Sequence, residues 1–329
     1  MKTYLFPILV SIVVFGAALF WGGWQALFLV VLLSILETTL SFDNAVVNAR
    51  VLERMDAKWQ KRFLTWGILF AVFGTRFVLP ILIVAAAAGL SPVFVTNLAF
   101  TDPIAYGEYL HGAHVAIAAF GSAFLMLVSL KYFLNNTKTV HWIGMVERHL
   151  SKWGGIEAIE IALVLLVLLG CAVALPHEAA TLLMAGIIGI VLFVIIEGIA
   201  QSFEMETTSA VASAGAALFI YLNVLDSAFS LDGVVGAFAV TTSLPIIIAG
   251  LGIGALFVRT FTISLVRAKT LKTLVYLEHG AHWAILGLAL AMLVGIFIRV
   301  PEVITGLIGL VFIAFAYLSS RREIKKHSA

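Results

Sequence analysis

The chain has 329 residues, of which 62% are hydrophobic and 12% charged, with a mean hydropathy of +1.10 and a formal net charge of +2. These values lie far outside the range of soluble domains and predict a polytopic helical membrane protein that does not bind nucleic acid. The lone Cys171 excludes an intrachain disulfide.

Ten apolar runs approach the length of about twenty residues that a helix needs to cross a bilayer. The first follows Lys2 in the manner of a signal peptide, but it continues through WGGW into the second and has no clear cleavage site, so we interpret it as a retained helix. The predicted fold class is all-α, a single transmembrane bundle over residues 1–329. The spans are expected at about 6–21, 24–47, 63–89, 112–134, 157–175, 181–200, 211–240, 244–266, 281–298 and 302–319.

The positions of Lys and Arg predict the orientation of the chain, because cytoplasmic loops are enriched in these residues. With ten spans and both termini inside, Arg299 is the one basic residue expected outside. The loop 201–210 should also be cytoplasmic, although it has no basic residue. The expected location is a bacterial-type inner (plasma) membrane. The predicted cytoplasmic segments are Lys2, 50–62, 131–152, 267–272 and the basic tail 321–329.

An acidic motif occurs twice, as ETTLSFDNAVV at 37–47 and in degenerate form as DSAFSLDGVV at 226–235. An ionisable side chain at the bilayer centre costs roughly 2.5–3.5 kcal/mol and is tolerated chiefly where it lines a cavity or an ion pathway. The four acids of the motif are therefore the first candidates for function. At one constant offset, Glu37 aligns with Asp226, Ser41 with Ser230 and Asp43 with Asp232.

The repeat extends beyond the acids, which predicts a duplicated unit. The expected repeats are residues 1–176 and 177–320, with five spans each, and the odd number places the second upside down in the membrane. This inverted organisation is typical of secondary transporters whose substrate site lies near the midplane. Two further segments recur in order: GILFAVFGTR (67–76) as GLGIGALFVR (250–259), and LHGAHVAI (110–117) as EHGAHWAI (278–285).

Helix geometry bears on how the acids could meet. Glu37 and Ser41 share a face on a regular helix, whereas Asp43 is turned about 120° away. Asn44 and Gly233, which follow the two aspartates, favour local unwinding that would aim the carboxylates and serine hydroxyls at one point. Such oxygen ligands suit Mn²⁺, Ca²⁺ or Mg²⁺ as a substrate, with no permanently bound cofactor. We expect Asp43 and Asp232 to face each other and to share one ion.

The string Glu37-x-x-Leu40-Ser41-Phe42-Asp43-Asn44, with Asp226-Ser227 in a later apolar span, resembles the TerC family of bacterial membrane proteins, named for tellurium resistance. The segment ETTLSFDNAVVNA resembles still more closely the sister group known as domain-of-unknown-function family 475. The resemblance implies a helical transporter-like fold and, for several TerC relatives, manganese export. It also implies that the matching residues belong to the site, namely Glu37, Asp43, Asn44, Asp226 and Ser227.

Two arginines lie within the predicted spans. Arg76 is too deep to reach the interface easily, so we expect it to pair with an acid as a counter-ion that replaces the substrate when the site is empty. Arg259 is the second candidate for a counter-ion or gating residue, with snorkelling as the alternative because it is nearer a span end.

Other titratable residues are weaker candidates. Histidines at i, i+3 spacing could chelate a metal or relay protons, but the two pairs lie on opposite membrane faces, so hydrogen bonds to the backbone are the simpler interpretation. The segment 138–155 is predicted to be an amphipathic interfacial helix. The weaker candidates are His111, His114, His279, His282 and Glu197, and the sequence leaves open whether Glu157, Glu160 and Glu197 join the site.

These observations predict a transporter that exports a divalent cation, with Mn²⁺ favoured, in exchange for protons carried on the same acids. Its partners are then the lipid bilayer and the metal substrate, with homo-oligomerisation left open. Export of an amino acid or other small polar solute is the alternative, since acids can bind an amino group, and a structural membrane subunit is the third. An enzyme is not expected, because no nucleophile with its base and no HExxH motif is present.

Overall fold

The protein is all-α in the part of the chain that its structure, a computed structural model, describes: residues 2–204, 211–268, 270–298 and 300–328. No β-strand occurs in these ranges. The helices are α1 (Lys2–Leu40), α2 (Phe42–Leu52), α3 (Ala57–Leu69), a π-helical segment (Phe70–Val78), α4 (Leu79–Ala88), α5 (Pro92–Thr101), α6 (Pro103–Gly112), α7 (His114–Phe133), α8 (Gly144–Trp153), α9 (Ile159–Ala174), α10 (Ala179–Glu204), α11 (Val211–Val240), α12 (Leu244–Arg267), α13 (Thr270–Thr273), α14 (Leu277–Phe297) and α15 (Glu302–Ser328).

Helix α1 reverses direction at Gly23. This residue has φ 66° and ψ −160°, a conformation that glycine adopts far more readily than residues with a Cβ. Ile8 and Thr38 line one apolar cavity, although a straight helix would hold them about 45 Å apart. The two arms of α1 therefore lie side by side as a hairpin, in agreement with the two spans expected before residue 48.

Six described helices are long and apolar enough to cross a bilayer, or seven if the bent pair Gly74–Ala88 and Pro92–Thr101 counts as one span. This indicates a multi-pass membrane protein, but the count falls below the ten spans that we expected. The whole of α1 is counted once despite its reversal. The 16 residues of α9 extend only about 24 Å, which is shorter than the hydrocarbon core.

The 116° bend between the segments Gly74–Ala88 and Pro92–Thr101 has a local cause. Gly89 ends α4 in the left-handed conformation, with φ 65°. Ser91 then caps α5 by accepting a 3.2 Å hydrogen bond from the Phe94 amide, and Pro92 occupies the first turn.

The apolar core forms two large clusters that meet near the acidic motifs. The first lies chiefly among α2, α7, α10 and α14, and the second among α1, α4, α6, α11 and α12. The chain passes from the second cluster to the first between Leu36 and Phe42. Helix α11 likewise runs from the first cluster, at Phe229, into the second, at Val234. The halves of the chain are interleaved, since α1 packs along α12, and α7 packs between α10 and α14.

Candidate functional site

The first acidic motif lies where α1 ends and α2 begins. Ser41 interrupts the helix for one residue, with φ −94° and ψ 18°. Its Oγ donates a 2.9 Å hydrogen bond to Glu37 Oε1, so these side chains share a face, as their spacing predicts. We expected unwinding at Asp43 and Asn44, but the interruption precedes them, and both are buried in the first turn of α2.

The second motif lies inside α11, whose backbone is helical from Val211 to Val240. The break that we expected beside Gly233 is absent, so the prediction of a second unwound helix is wrong. Gly233 instead permits close approach, since a Cβ there would lie 3.1 Å from Glu37 Oε2. The side chain of Asp232 lies outside the described residues, so its pairing with Asp43 stays a prediction.

An acid of each motif is paired with an arginine of its own half. Arg76, in the π-helical segment, forms a buried ion pair with Glu37. In α12, Arg259 Nη2 lies 3.3 Å from Asp226 Oδ2. Since Glu37 aligns with Asp226 and Arg76 with Arg259, the two sequence copies make the same contact.

Arg259 does not snorkel, so that alternative is wrong, and its role as a counter-ion or gating residue stays a prediction. The residue is only 2% exposed. Its Nη1 donates a 2.9 Å hydrogen bond to the Phe63 carbonyl, and its guanidinium lies 4.2 Å from the centroid of the Phe63 ring. These contacts and the ion pair with Asp226 hold the side chain inside the bundle.

Asn44 joins the two motifs. Its Nδ2 donates a 2.7 Å hydrogen bond to Asp226 Oδ1. Its own amide oxygen is buried and has no hydrogen-bond partner among the described residues, and the same is true of the Ser230 hydroxyl. An acceptor left without a donor in a dry interior is costly, which makes the Asn44 oxygen a candidate ligand for a cation or water.

Asp43 is the one described motif acid without a cationic partner. Its carboxylate is buried and accepts a 2.9 Å hydrogen bond from the Asn44 amide. No described Lys, Arg or His forms an ion pair with it. Gly309 of α15 faces it, because a Cβ there would lie 3.5 Å from Asp43 Cγ. An unpaired buried carboxylate requires a proton or a cation.

A cavity of about 20 Å³ opens between the helix interruption and α11, α14 and α15. This volume holds about one water molecule or one dehydrated ion. Helix α15 contributes to the lining, which sequence reasoning missed because Thr305 carries no charge and belongs to no motif. The cavity is lined by Glu37, Leu40, Ser41, Asp43, Asn44, Phe229, Gly233, Leu288, Thr305 and Gly309.

Of the eight predicted ligands, four line this cavity: Glu37, Ser41, Asp43 and Asn44. Asp226 is not among the described lining residues, but it accepts a hydrogen bond from Asn44, which is. The Ser227 hydroxyl donates to the Asn223 carbonyl at 2.6 Å. The described residues contain no group of three His, Cys, Asp or Glu side chains that could hold a metal. A cation here would thus depend on hydroxyl and amide oxygens as well as the two carboxylates.

The weaker candidates lie elsewhere. Glu197 pairs with Lys131 at 3.2 Å, and His111 is exposed. His282 Nδ1 contacts the Glu278 carbonyl at 2.8 Å, as expected for a backbone-bonded histidine, and its ring stacks on Tyr132. None of the weaker candidates lines the cavity: His111, His114, His279, His282, Glu157, Glu160 and Glu197.

His279 departs from the expected backbone bond and contacts Glu147, an acid that sequence reasoning missed. Glu147 is buried, and its Oε2 lies 2.7 Å from His279 Nδ1. Trp283 donates to its other oxygen at 3.0 Å. Burial alone would raise the pKa of Glu147, but these hydrogen bonds and the charge of Lys138 hold it at about 2, below the ordinary 4.5. The sequence signal that could have identified Glu147 is that it is the one acid in α8, a helix whose other charged residues are basic.

Residues 42–327 match the family described as "Protein of unknown function (DUF475)". The match spans α2 to α15 and so includes most of the cavity lining. No curated protein and no solved structure matches the chain. The closer of the two family resemblances is thereby confirmed, whereas the TerC resemblance stays a prediction.

Proposed function

The chain belongs to the DUF475 family, and we propose that it is a membrane transporter that exports a divalent cation, with Mn²⁺ favoured. The supporting observation is the cavity of about 20 Å³ at the helix interruption, whose lining includes the Asp43 carboxylate, which forms no ion pair with a described residue. The Asn44 oxygen has no donor among the described residues. With the Ser41 and Thr305 hydroxyls, it adds the hard oxygen ligands that such cations prefer.

In this proposal Arg76 is the counter-ion of the empty site. The Glu37–Arg76 pair is neutral, so the described lining carries the single negative charge of Asp43 when that group is ionised. A dication needs a second carboxylate, which Glu37 supplies once Arg76 moves away. When the cation leaves, Arg76 returns to Glu37, and Asp43 takes up a proton because its charge is costly in a dry cavity. This exchange couples cation export to proton entry.

Export of an amino acid is a weaker alternative for this site. An amino acid needs an anion-binding group for its carboxylate, and both arginines near the motifs already pair with acids. A cavity of about 20 Å³ also holds no more than about one water molecule, so a larger solute would require a different conformation.

Purified protein in liposomes provides the test. We expect Mn²⁺ flux that is faster than in empty liposomes and is accompanied by opposite movement of protons, measured with entrapped metal-sensitive and pH-sensitive dyes. Ca²⁺, Mg²⁺ and Zn²⁺ are assayed in parallel. Absence of flux for all four ions, with correctly folded protein, would refute the proposal. Flux of an amino acid in the same vesicles, without metal flux, would favour the alternative.

A further inference from the structure

Helix α8 (Gly144–Trp153) is held against the bundle by its inward face. Besides binding His279 and Trp283 of α14, the Glu147 carboxylate accepts hydrogen bonds from the Trp142 and Ile143 amides at 3.1 and 3.3 Å. The end of the helix is packed as closely, since a Cβ at Gly154 would lie 1.5 Å from the Leu134 carbonyl oxygen. These contacts fix which face of α8 points outward.

The outward face combines basic and apolar side chains on separate flanks. At about 100° per residue, Arg148 and Lys152 lie roughly 100–140° to one side of Glu147. Val146 and Trp153 lie roughly 100–120° to the other side. All four side chains are exposed, as is Met145 between the flanks, whereas Glu147, the acid of this helix, is buried.

Chain connectivity places α8 near a bilayer surface. The helix begins eleven residues after the span α7 ends at Phe133, and its C-terminal end touches the last turn of that span. A short helix in this position, with one apolar flank and one basic flank, has the pattern of helices that lie in the interface and contact anionic lipid.

We propose that the outward face of α8 is a binding site for anionic phospholipid headgroups. Arg148 and Lys152 bind the headgroup phosphates, and Val146 and Trp153 lie among the upper acyl segments. Phospholipid is the expected occupant because the face pairs cations with apolar side chains and has no acid, which matches an anionic membrane surface. Glu147 positions the helix by fixing it to α14.

Quenching of Trp153 fluorescence by brominated phospholipid tests this site in vesicles that contain the full-length protein. The Trp153 signal is the difference between the natural protein and Trp153→Phe. We expect brominated phosphatidylglycerol to quench it more than brominated phosphatidylcholine at equal mole fraction, with roughly fivefold local enrichment per basic residue. High salt should reduce this difference, whereas quenching by both lipids should persist because the apolar flank still holds the helix at the surface.

In the Arg148→Gln/Lys152→Gln double variant, the two brominated lipids should quench Trp153 to the same extent, and both should still quench it. The matched control is Arg321→Gln/Arg322→Gln, which removes two exposed charges from α15 and should keep the preference. Equal quenching in the natural protein, or a preference that survives the double variant, would overturn the proposal. So would lack of quenching by either lipid, which would mean that a protein partner or second copy covers α8.

Discussion

The Asn44 side-chain amide donates a 2.7 Å hydrogen bond to the Asp226 carboxylate across 182 positions of the chain. This bond joins the first copy of the acidic motif to the second. The Asn44 oxygen and the neighbouring Asp43 carboxylate have, respectively, no donor and no cationic partner among the described residues. The site therefore combines satisfied ion pairs with a small set of acceptors that still need a cation or a proton.

Arg76→Gln should destabilise the protein and make it more responsive to metal. Loss of one member of a buried ion pair costs about 3–5 kcal/mol, since the Glu37 charge stays buried. Because the freed carboxylate lines the cavity, added Mn²⁺ should raise the unfolding temperature of Arg76→Gln more than that of the natural protein. Thermal unfolding in detergent at several Mn²⁺ concentrations measures both effects.

Arg259→Gln is the matched control for that experiment. It also breaks a buried ion pair, but Asp226 does not line the cavity. We expect a similar loss of stability without the extra response to Mn²⁺. An equal metal response in the two variants would show that Arg76 does not occupy the place of the substrate.

Gly254→Ala should separate α12 from α1. A Cβ at this position would lie 2.4 Å from Glu37 Cβ and 3.1 Å from the Ser34 carbonyl oxygen, so the helices must move apart. Overpacking of this kind costs about 1–3 kcal/mol, and the movement of Glu37 should also slow cation flux. Unfolding temperature and liposome flux are the two readouts.

Gly170→Ala provides the comparison, because no described atom beyond its chain neighbours and the backbone of its own helix lies within 4 Å of the Cβ position there. Its stability and flux should match those of the natural protein or exceed them slightly. If Gly254→Ala behaved like Gly170→Ala in both assays, close packing against Glu37 would not matter for the site.

The free energy of unfolding should decrease as the pH is lowered below 4.5, because Glu147 then takes up a proton when the protein unfolds. A carboxyl with a lowered pKa contributes stability that is fully present above its unfolded value of 4.5 and is lost as the pH falls towards about 2. This lowering of the Glu147 pKa corresponds to roughly 3 kcal/mol of folding free energy. Urea unfolding in detergent from pH 6 to 2.5 should show this loss in the natural protein, and Glu147→Gln should lack that part of the slope. An unchanged slope in the variant would assign the acid sensitivity to other carboxyls.

Topology offers a further prediction. A tag after residue 58 and a tag after residue 270 should both report the cytoplasm, whereas a tag near residue 100 should report the outside, because the basic residues cluster in the first two regions. Reporter fusions or cysteine labelling can locate each tag. If positions 58 and 100 lie on the same side, the inverted-repeat interpretation fails.

The polar contacts of the site were predictable where they followed from local spacing or from the repeat. The Ser41–Glu37 hydrogen bond follows from an i, i+4 spacing. An acid partner for Arg76 follows from the cost of leaving a deep arginine unpaired, although the sequence did not single out Glu37. The membrane class followed from composition. These inferences needed no knowledge of how distant helices pack.

Features that depend on long-range packing were missed. Gly233 permits α11 to approach Glu37 and does not break the helix. A glycine that breaks a helix and a glycine that permits close packing look the same in the sequence. Glu147 belongs to an interfacial helix yet is buried, because His279 and Trp283 reach it from a helix 130 residues later. The reversal at Gly23 agrees with the predicted pair of spans because WGGW marked the junction.

Cation flux in liposomes that contain Asp43→Asn tests the central claim most directly. Among the described lining residues, Asp43 is the carboxylate without a cationic partner, so its neutral isostere should abolish Mn²⁺ flux while the unfolding temperature stays equal or rises. Glu108→Gln, which neutralises an exposed acid, should keep the flux of the natural protein. Asp43→Asn vesicles that carry Mn²⁺ as fast as the Glu108→Gln vesicles would contradict the assignment of this cavity as the transport site.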